Sequence, residues 1–174
     1  MTAVFLDACA LVPITLVNVI LTAAEDALLR PHWSPEVIEE AVRAILLSRP
    51  SLDEARVRGR FSAMDAAFKG ASMSGDVSTL DRSAFPDPDD LHVVAAAVAA
   101  GATTVVTANV RDFPEAAMAK LGITVQSPDQ LLLDLLENDP QGMIDVVAKV
   151  AGSLRNPTRT PNDILTGLGL AGAR

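Results

Sequence analysis

Cysteine occurs once, tyrosine not at all, and histidine only at positions 32 and 92. The single thiol, Cys9, closes no internal disulfide and builds no zinc cluster. Neither histidine has a neighbouring nucleophile, so no Ser-His-Asp set is in view. Aromatics supply only 3 % of the 174 residues, and Ala, Val and Leu must fill the core; hydrophobic residues at 49 % are enough for one. That content argues against disorder. Long apolar runs are missing as well. The longest candidate, Ala10–Ala24, is broken by Pro13 and Asn18 and closes in Glu25 and Asp26, short of the roughly 20 residues needed to cross a bilayer. The opening MTAVFLDA lacks the basic region of a secretory signal. These absences predict a soluble, cytoplasmic chain with no membrane association.

What is present is an alternation of strand and helix patterns. Ala3–Leu6 reads as a short buried strand, and Leu11–Leu29 as a helix apolar nearly all round. Ser34-Pro35 opens a helix to about Leu47, a more amphipathic helix spans Leu52–Phe68, and Gly70–Ala84 is a polar, glycine-punctuated connection. Helix Pro88–Ala100 stops at Gly101. Thr103–Thr107 and Ile123–Val125 read as strands around a short helix, Pro114–Leu121. Such alternation predicts an α/β fold with a mostly parallel sheet covered on both faces. A capping residue followed by proline recurs at Ser34-Pro35, Asp87-Pro88, Ser127-Pro128, Asp139-Pro140 and Thr160-Pro161. Proline at the first helical position loses no hydrogen bond, and the preceding oxygen accepts from the free amides. From Ser127 onward the pattern is helical, over Pro128–Glu137, Pro140–Ser153 and Pro161–Leu168. The expected division is an α/β domain over 1–126 and a helical C-terminal extension over 127–174.

Four acids fall after strand one, within helix two, at one helix start and after a later strand, and each has two readings. Asp7 follows the first strand, at the sheet edge where open α/β folds place ligands; a loop aspartate bonded to its own backbone would look the same. Glu40 lies on or beside the apolar stripe Val37, Ala41, Ala44, Ile45, and a surface ion pair with Arg43 is the alternative. Asp87 and Asp90 have capping-box spacing, yet Asp90 shares a helix face with Val93, Val94 and Ala97. His92 lies off that face and reads as a surface residue. Asp112, in TANVRDF, is either a cap for the helix at Pro114 or a fourth acid of the same edge. Parallel winding brings all four points together. Clustered carboxylates repel unless a divalent cation lies among them.

In order along the chain, FLDACAL, WSPEVIEEAVRAIL, PDPDDLHVVAAAVAAGA and VVTANVRDFP resemble the four motifs of the PIN-domain nucleases, over about residues 3–126. The tail after SPDQLLLDLL resembles the extension of one subgroup of VapC-type toxins of VapBC toxin–antitoxin systems. The resemblance implies a PIN-like α/β/α sandwich with a mostly parallel central sheet and a helical C-terminal extension. It implies Asp7, Glu40, Asp90 and Asp112 as the acidic quartet, binding Mg²⁺ (or Mn²⁺), with Thr107, Asn109 and Arg111 of the fourth motif orienting the substrate. The implied activity is metal-dependent endonucleolytic cleavage of RNA by a homodimer restrained by a cognate antitoxin. Two places depart from the pattern: Val17-Asn18 where relatives carry Arg-Asp, and Ala41 where an aromatic follows the glutamate.

Net charge is −8, which gives no long-range pull on a polyphosphate. The basic residues are nevertheless gathered: Arg43, Arg49, Arg56, Arg58 and Arg60 form either an RNA-facing edge or a solvated face paired with Asp53 and Glu54. Two rivals to a nuclease stand beside it. A haloacid-dehalogenase-like phosphatase needs a second acid two residues after the first, where Cys9 stands. A catalytically weak PIN module would bind RNA or an antitoxin without cutting.

Overall fold

A computed structural model describes residues 1–153 and 158–171. Its centre is a four-stranded, wholly parallel sheet of β1 (Thr2–Leu6), β2 (Leu29–His32), β3 (Thr104–Val106) and β4 (Thr124–Gln126), in the order β2-β1-β3-β4. β1 is central, and its last four residues are all buried. A strand covered on both faces cannot alternate polar and apolar residues, which is why AVFL is continuous. The chain leaves β1 for β2 on one side and returns to β3 on the other. That reversal opens a crevice at the carboxyl ends of β1 and β3, the position where such sheets bind ligands.

Between β1 and β2 the chain is not one helix. α1 (Ala8–Leu11) stops before Pro13, whose backbone is extended, and α2 (Ile14–Glu25) begins after it. The expected helix over Leu11–Leu29 also runs too far, because Leu29–His32 is β2. Pro31 has no N–H to give a ladder, but β2 lies at the sheet edge and pairs with β1 alone among the four strands, where a proline is tolerated. α3 (Pro35–Ser48) and α4 (Glu54–Ala67) follow. In the connection to the next helix, Trp33 bridges Ser72, and Trp33 Nε1 donates to Asp65 Oδ1 at 2.6 Å. Gly75 lies against the backbone of Ala95 so closely that a Cβ has no room. That contact fixes the connection on α5 (Leu91–Ala99).

α5 ends where glycine allows it. Gly101 has φ +62°, and Ala102 N–H returns to Ala97 O. α6 (Glu115–Lys120) joins β3 to β4. The helical tail comprises α7 (Pro128–Asn138), α8 (Pro140–Ser153) and α9 (Pro161–Leu170). Met143, Val146 and Val150 of α8 are buried in the same core as α2, and Lys149 Nζ meets Asp26 Oδ1 at 2.5 Å. An apolar groove of about 570 Å³ runs between the three tail helices, lined by Leu133, Leu136, Ile144 and Leu165. Among the described residues, no helix is long and apolar enough to cross a membrane.

Candidate active site

The crevice between β1 and β3 is closed by a hydrogen-bond network around Asp7. Asp7 is 9 % exposed. Its Oδ1 accepts from Ala8 N–H at 2.6 Å as the cap of α1. Its Oδ2 accepts from Thr107 Oγ1 at 2.7 Å and from Cys9 Sγ at 3.2 Å. Thr107, just past β3, is fully buried, and its hydroxyl also accepts Asn109 N–H at 3.0 Å. Cys9 Sγ accepts Ala108 N–H at 3.0 Å. Burial, then the charge of Asp7, pushes the Cys9 thiol up to about 11, so it stays protonated and donates to the carboxylate. Three groups therefore fix the Asp7 side chain across two strands. Cys9 was missed from the sequence as a positioning group; only its placement two residues from Asp7 hinted at it.

Asp90 is the opposite case. The expected capping box does not form. Asp87 does cap, accepting from Asp89 N–H at 2.9 Å, but the first turn, Pro88–Asp90, is a 3₁₀ turn. Asp90 then stands at the N-cap of α5 with no side-chain capping bond. Among the described residues its carboxylate accepts no hydrogen bond at all. It is half-buried. Burial first, then the charges of Asp112, Asp87 and Asp7, push its carboxyl up to about 6, with His92 pulling the other way. A carboxyl raised by three neighbouring acids lies within their electrostatic reach.

Asp112 ends a single 3₁₀ turn, Val110–Asp112. It does not cap the next helix: α6 has Pro114 at that position and no side-chain cap. Asn109 makes no side-chain cap either, and Arg111 is exposed. Glu40 is not paired with Arg43, whose Nε instead reaches Glu39 O at 3.4 Å. Its partner is His92 Nε2, 3.0 Å from Glu40 Oε1. His92 is thus no surface bystander: its side chain is only 23 % exposed, and its Nδ1 has no partner among the described residues. The pair links α3 to α5 two residues from Asp90. Of the departures from the pattern, Val17 and Ala41 are buried in the core and Asn18 is half-buried.

The donor set suits a hard divalent cation, being all carboxylate oxygen. Among the described residues, Asp90 and Asp112 are the two of the four carboxylates without a hydrogen-bond donor. Among the described residues, no three His, Cys, Asp or Glu side chains stand in a ready-made ligating cluster. Glu40 is tied to His92 and Asp7 to Thr107.

Comparison with known proteins agrees with this architecture. A family model described as "PIN domain" matches residues 2–111, and one described as "VapC50 C-terminal domain" matches residues 128–174. A protein of Mycobacterium tuberculosis (strain ATCC 25618 / H37Rv) named "Putative ribonuclease VapC50" is 35 % identical over 80 residues, covering 46 % of this chain and 47 % of the relative. The chain thus aligns with about half the length of that relative. No solved structure matches. With the first of these models covering more than half of the chain, and the second the helical tail, the chain belongs to the PIN-domain family, in the VapC-type branch that carries a C-terminal extension.

Proposed function

We propose that this chain is a Mg²⁺- or Mn²⁺-dependent endoribonuclease, the toxin of a type II toxin–antitoxin pair, acting in the cytoplasm as a homodimer. Residues 1–126 would be its nuclease domain and 127–174 its helical extension. The observation that carries the reading is Asp90: a half-buried carboxylate excluded from helix capping, without a hydrogen-bond donor among the described residues, and raised to about 6 beside three other acids. A structural aspartate would be expected to have found a donor.

Asp7 and Asp90 would hold the ion most directly, with Asp112 and Glu40 completing the set. When bound, the ion polarises the scissile phosphoryl group and activates water. Thr107 and Cys9 keep both lone-pair directions of Asp7 Oδ2 defined, so that carboxylate is oriented before substrate arrives. Glu40, held at its Oε1 by His92, would orient the attacking water with its other oxygen. Asn109 and Arg111, on the loop past β3, would contact the RNA backbone. The mycobacterial relative carries ribonuclease in its name, which supports RNA as the substrate, and its VapC name supports an antitoxin as partner.

The test is cleavage of a single-stranded RNA by the whole chain with Mg²⁺ or Mn²⁺, against chelator. Asp7→Asn should abolish cleavage while leaving RNA binding in place. Cleavage that persists in chelator, or in Asp7→Asn, overturns the reading. One observation favours a second reading, a module that binds RNA or an antitoxin with little cutting: Val17-Asn18 and Ala41 supply neither the charged pair nor the aromatic of the family pattern. Binding without cleavage at every metal concentration would select it.

A further inference from the structure

The arginine-rich stretch divides into two unlike groups. Arg58 is satisfied twice over, by Glu39 at 2.6 Å and by Glu54 at 2.8 Å, and belongs to a solvated face. Arg49, Arg56 and Arg60 instead line a cavity of about 540 Å³ with Ser48, Ile14 and Leu52. Among the described residues, no carboxylate lines it or lies within ion-pair distance of these three guanidinium groups. Arg60 is half-buried, donates through Nη2 to Leu11 O at 2.8 Å, and has its guanidinium 5.1 Å from the centre of the Phe61 ring. Burial, and then the charge of Arg49, pull the Arg60 guanidinium below its ordinary range. Like charges thus border one space, with no anion among the described residues to reconcile them. Arginine donors in a fork suit phosphate oxygens better than any other common anion bar a carboxylate.

Two elements run from the acid crevice to this cavity. α1 is capped by Asp7, and its last carbonyl, of Leu11, accepts from Arg60; four residues of helix span about 6 Å. α3 carries Glu40 in its middle and Arg49 just past its C-terminal end, nine residues on, or about 13 Å along the axis. The acids are spaced to take one phosphate and the arginines another on the same strand.

We infer that the cavity formed by Arg49, Arg56 and Arg60 binds a backbone phosphate of the RNA near the one cleaved, and so sets where the strand lies in the crevice. This rests on the ribonuclease reading for the identity of the strand, and resolves a difficulty of that reading. A chain of net charge −8 repels polyphosphate at a distance, and it requires a local cationic seat to hold one. Arg60 also has a structural role through Leu11, whereas Arg49 and Arg56 are exposed and free to serve the ligand.

The experiment measures equilibrium binding of a short unstructured single-stranded RNA across a salt series, in an Asp90→Asn background that does not cut. Arg49→Gln with Arg56→Gln should weaken binding at least about tenfold at low salt. The slope of log affinity against log salt should fall by about 0.7 for each phosphate no longer neutralised by an arginine. Arg58→Gln should leave both unchanged, and matching thermal melts confirm that all variants fold. An unaltered slope in the double variant overturns the inference. So does an equal weakening with Arg58→Gln, which would mean a diffuse basic surface. Whether the parent chain cleaves RNA is read separately, so a failed ribonuclease reading leaves the phosphate seat still decided by the slope.

Discussion

Two helix starts in this molecule share one spelling and end in opposite chemistry. At α9, Thr160-Pro161-Asn162-Asp163 closes a complete capping box: Thr160 Oγ1 accepts from Asp163 N–H at 3.2 Å, and Asp163 Oδ2 takes Thr160 N–H at 2.7 Å. The Thr160 backbone bond, then its hydroxyl, hold the Asp163 carboxyl below its usual range. At α5, Asp87-Pro88-Asp89-Asp90 has the same spacing of cap, proline and acid. There the opening turn is 3₁₀, the third-position acid reaches no donor, and its carboxyl is raised. Other carboxylates and caps of the tail follow the first pattern. Ser127 caps α7 at 3.1 Å, Asp139 accepts Gly142 N–H at 2.9 Å, and Asp134 accepts from Gln126 and Gln130. A carboxylate with a donor stabilises a helix; the same carboxylate without one is available for an ion or a proton.

The largest expected effect comes from neutralising the two acids in turn. Asp90→Asn should lower RNA cleavage by on the order of 100-fold or more, yet make the metal-free protein more stable at pH 7. The sign follows from the shift. A carboxyl raised to about 6 is penalised when ionised, so native stability is reduced above that value. The penalty fades as pH falls from about 6 toward the unfolded value of 3.8. Solvent screening at this half-buried site leaves a gain of about 1 kcal/mol. Asp163→Asn should do the reverse: cleavage unchanged, thermal stability slightly lower. Its depressed carboxyl contributes above the unfolded value and loses that contribution as pH falls through the folded one. Paired melts from pH 4 to 8 and one cleavage assay decide it. Equal stability changes in the two variants would erase the distinction.

Thr107→Val sharpens the contrast inside the crevice, because it leaves Asp7 with only Ala8 N–H and the Cys9 thiol as donors. It removes the 2.7 Å donor to Asp7 Oδ2 and the acceptor of Asn109 N–H together. Loss of such a supporting bond costs about 10- to 100-fold in metal affinity or activity. A metal titration of cleavage should show the cost mainly in the ion concentration needed. A variant with unaltered metal dependence would mean that Thr107 serves the fold alone.

The expected elements mostly survive, for local reasons. All five cap-proline starts are helix starts, because a hydroxyl or carboxylate before proline is a backbone rule that needs no tertiary partner. β2 was hidden because Leu28-Leu29 extends the apolar run of α2 and Pro31 argues against a strand; only its edge position, a property of the sheet, permits it. The site divides in the same manner. Asp7 and Asp90 could be placed by element ends. Their partners could not: Thr107 and Cys9 meet across 98 residues, and Glu40 of α3 meets His92 of α5. The arginine stretch is contiguous in sequence, yet helix geometry sends Arg58 to one face and Arg49, Arg56 and Arg60 to another.

The smallest effect compares two helix ends. α5 ends on Gly101 at φ +62°, a left-handed conformation that glycine adopts freely. α2 ends with Ala27 at φ 60°, where Ala27 N–H returns to Ala24 O and Leu28 N–H to Ala23 O at 2.9 Å. The same terminating bonds are made, but an alanine Cβ crowds the following carbonyl, at about 1–2 kcal/mol. Glycine would relieve that strain and also loosen the unfolded chain, which offsets part of the gain. Ala27→Gly should therefore raise stability by about 0.5–1 kcal/mol, seen as a higher denaturant midpoint with an unchanged slope. Ala27 lies in the turn before β2, away from the carboxyl-end crevice, so cleavage should not respond. A lower midpoint would mean that unfolded-state entropy outweighs strain at this turn, and that alanine stands there for stability.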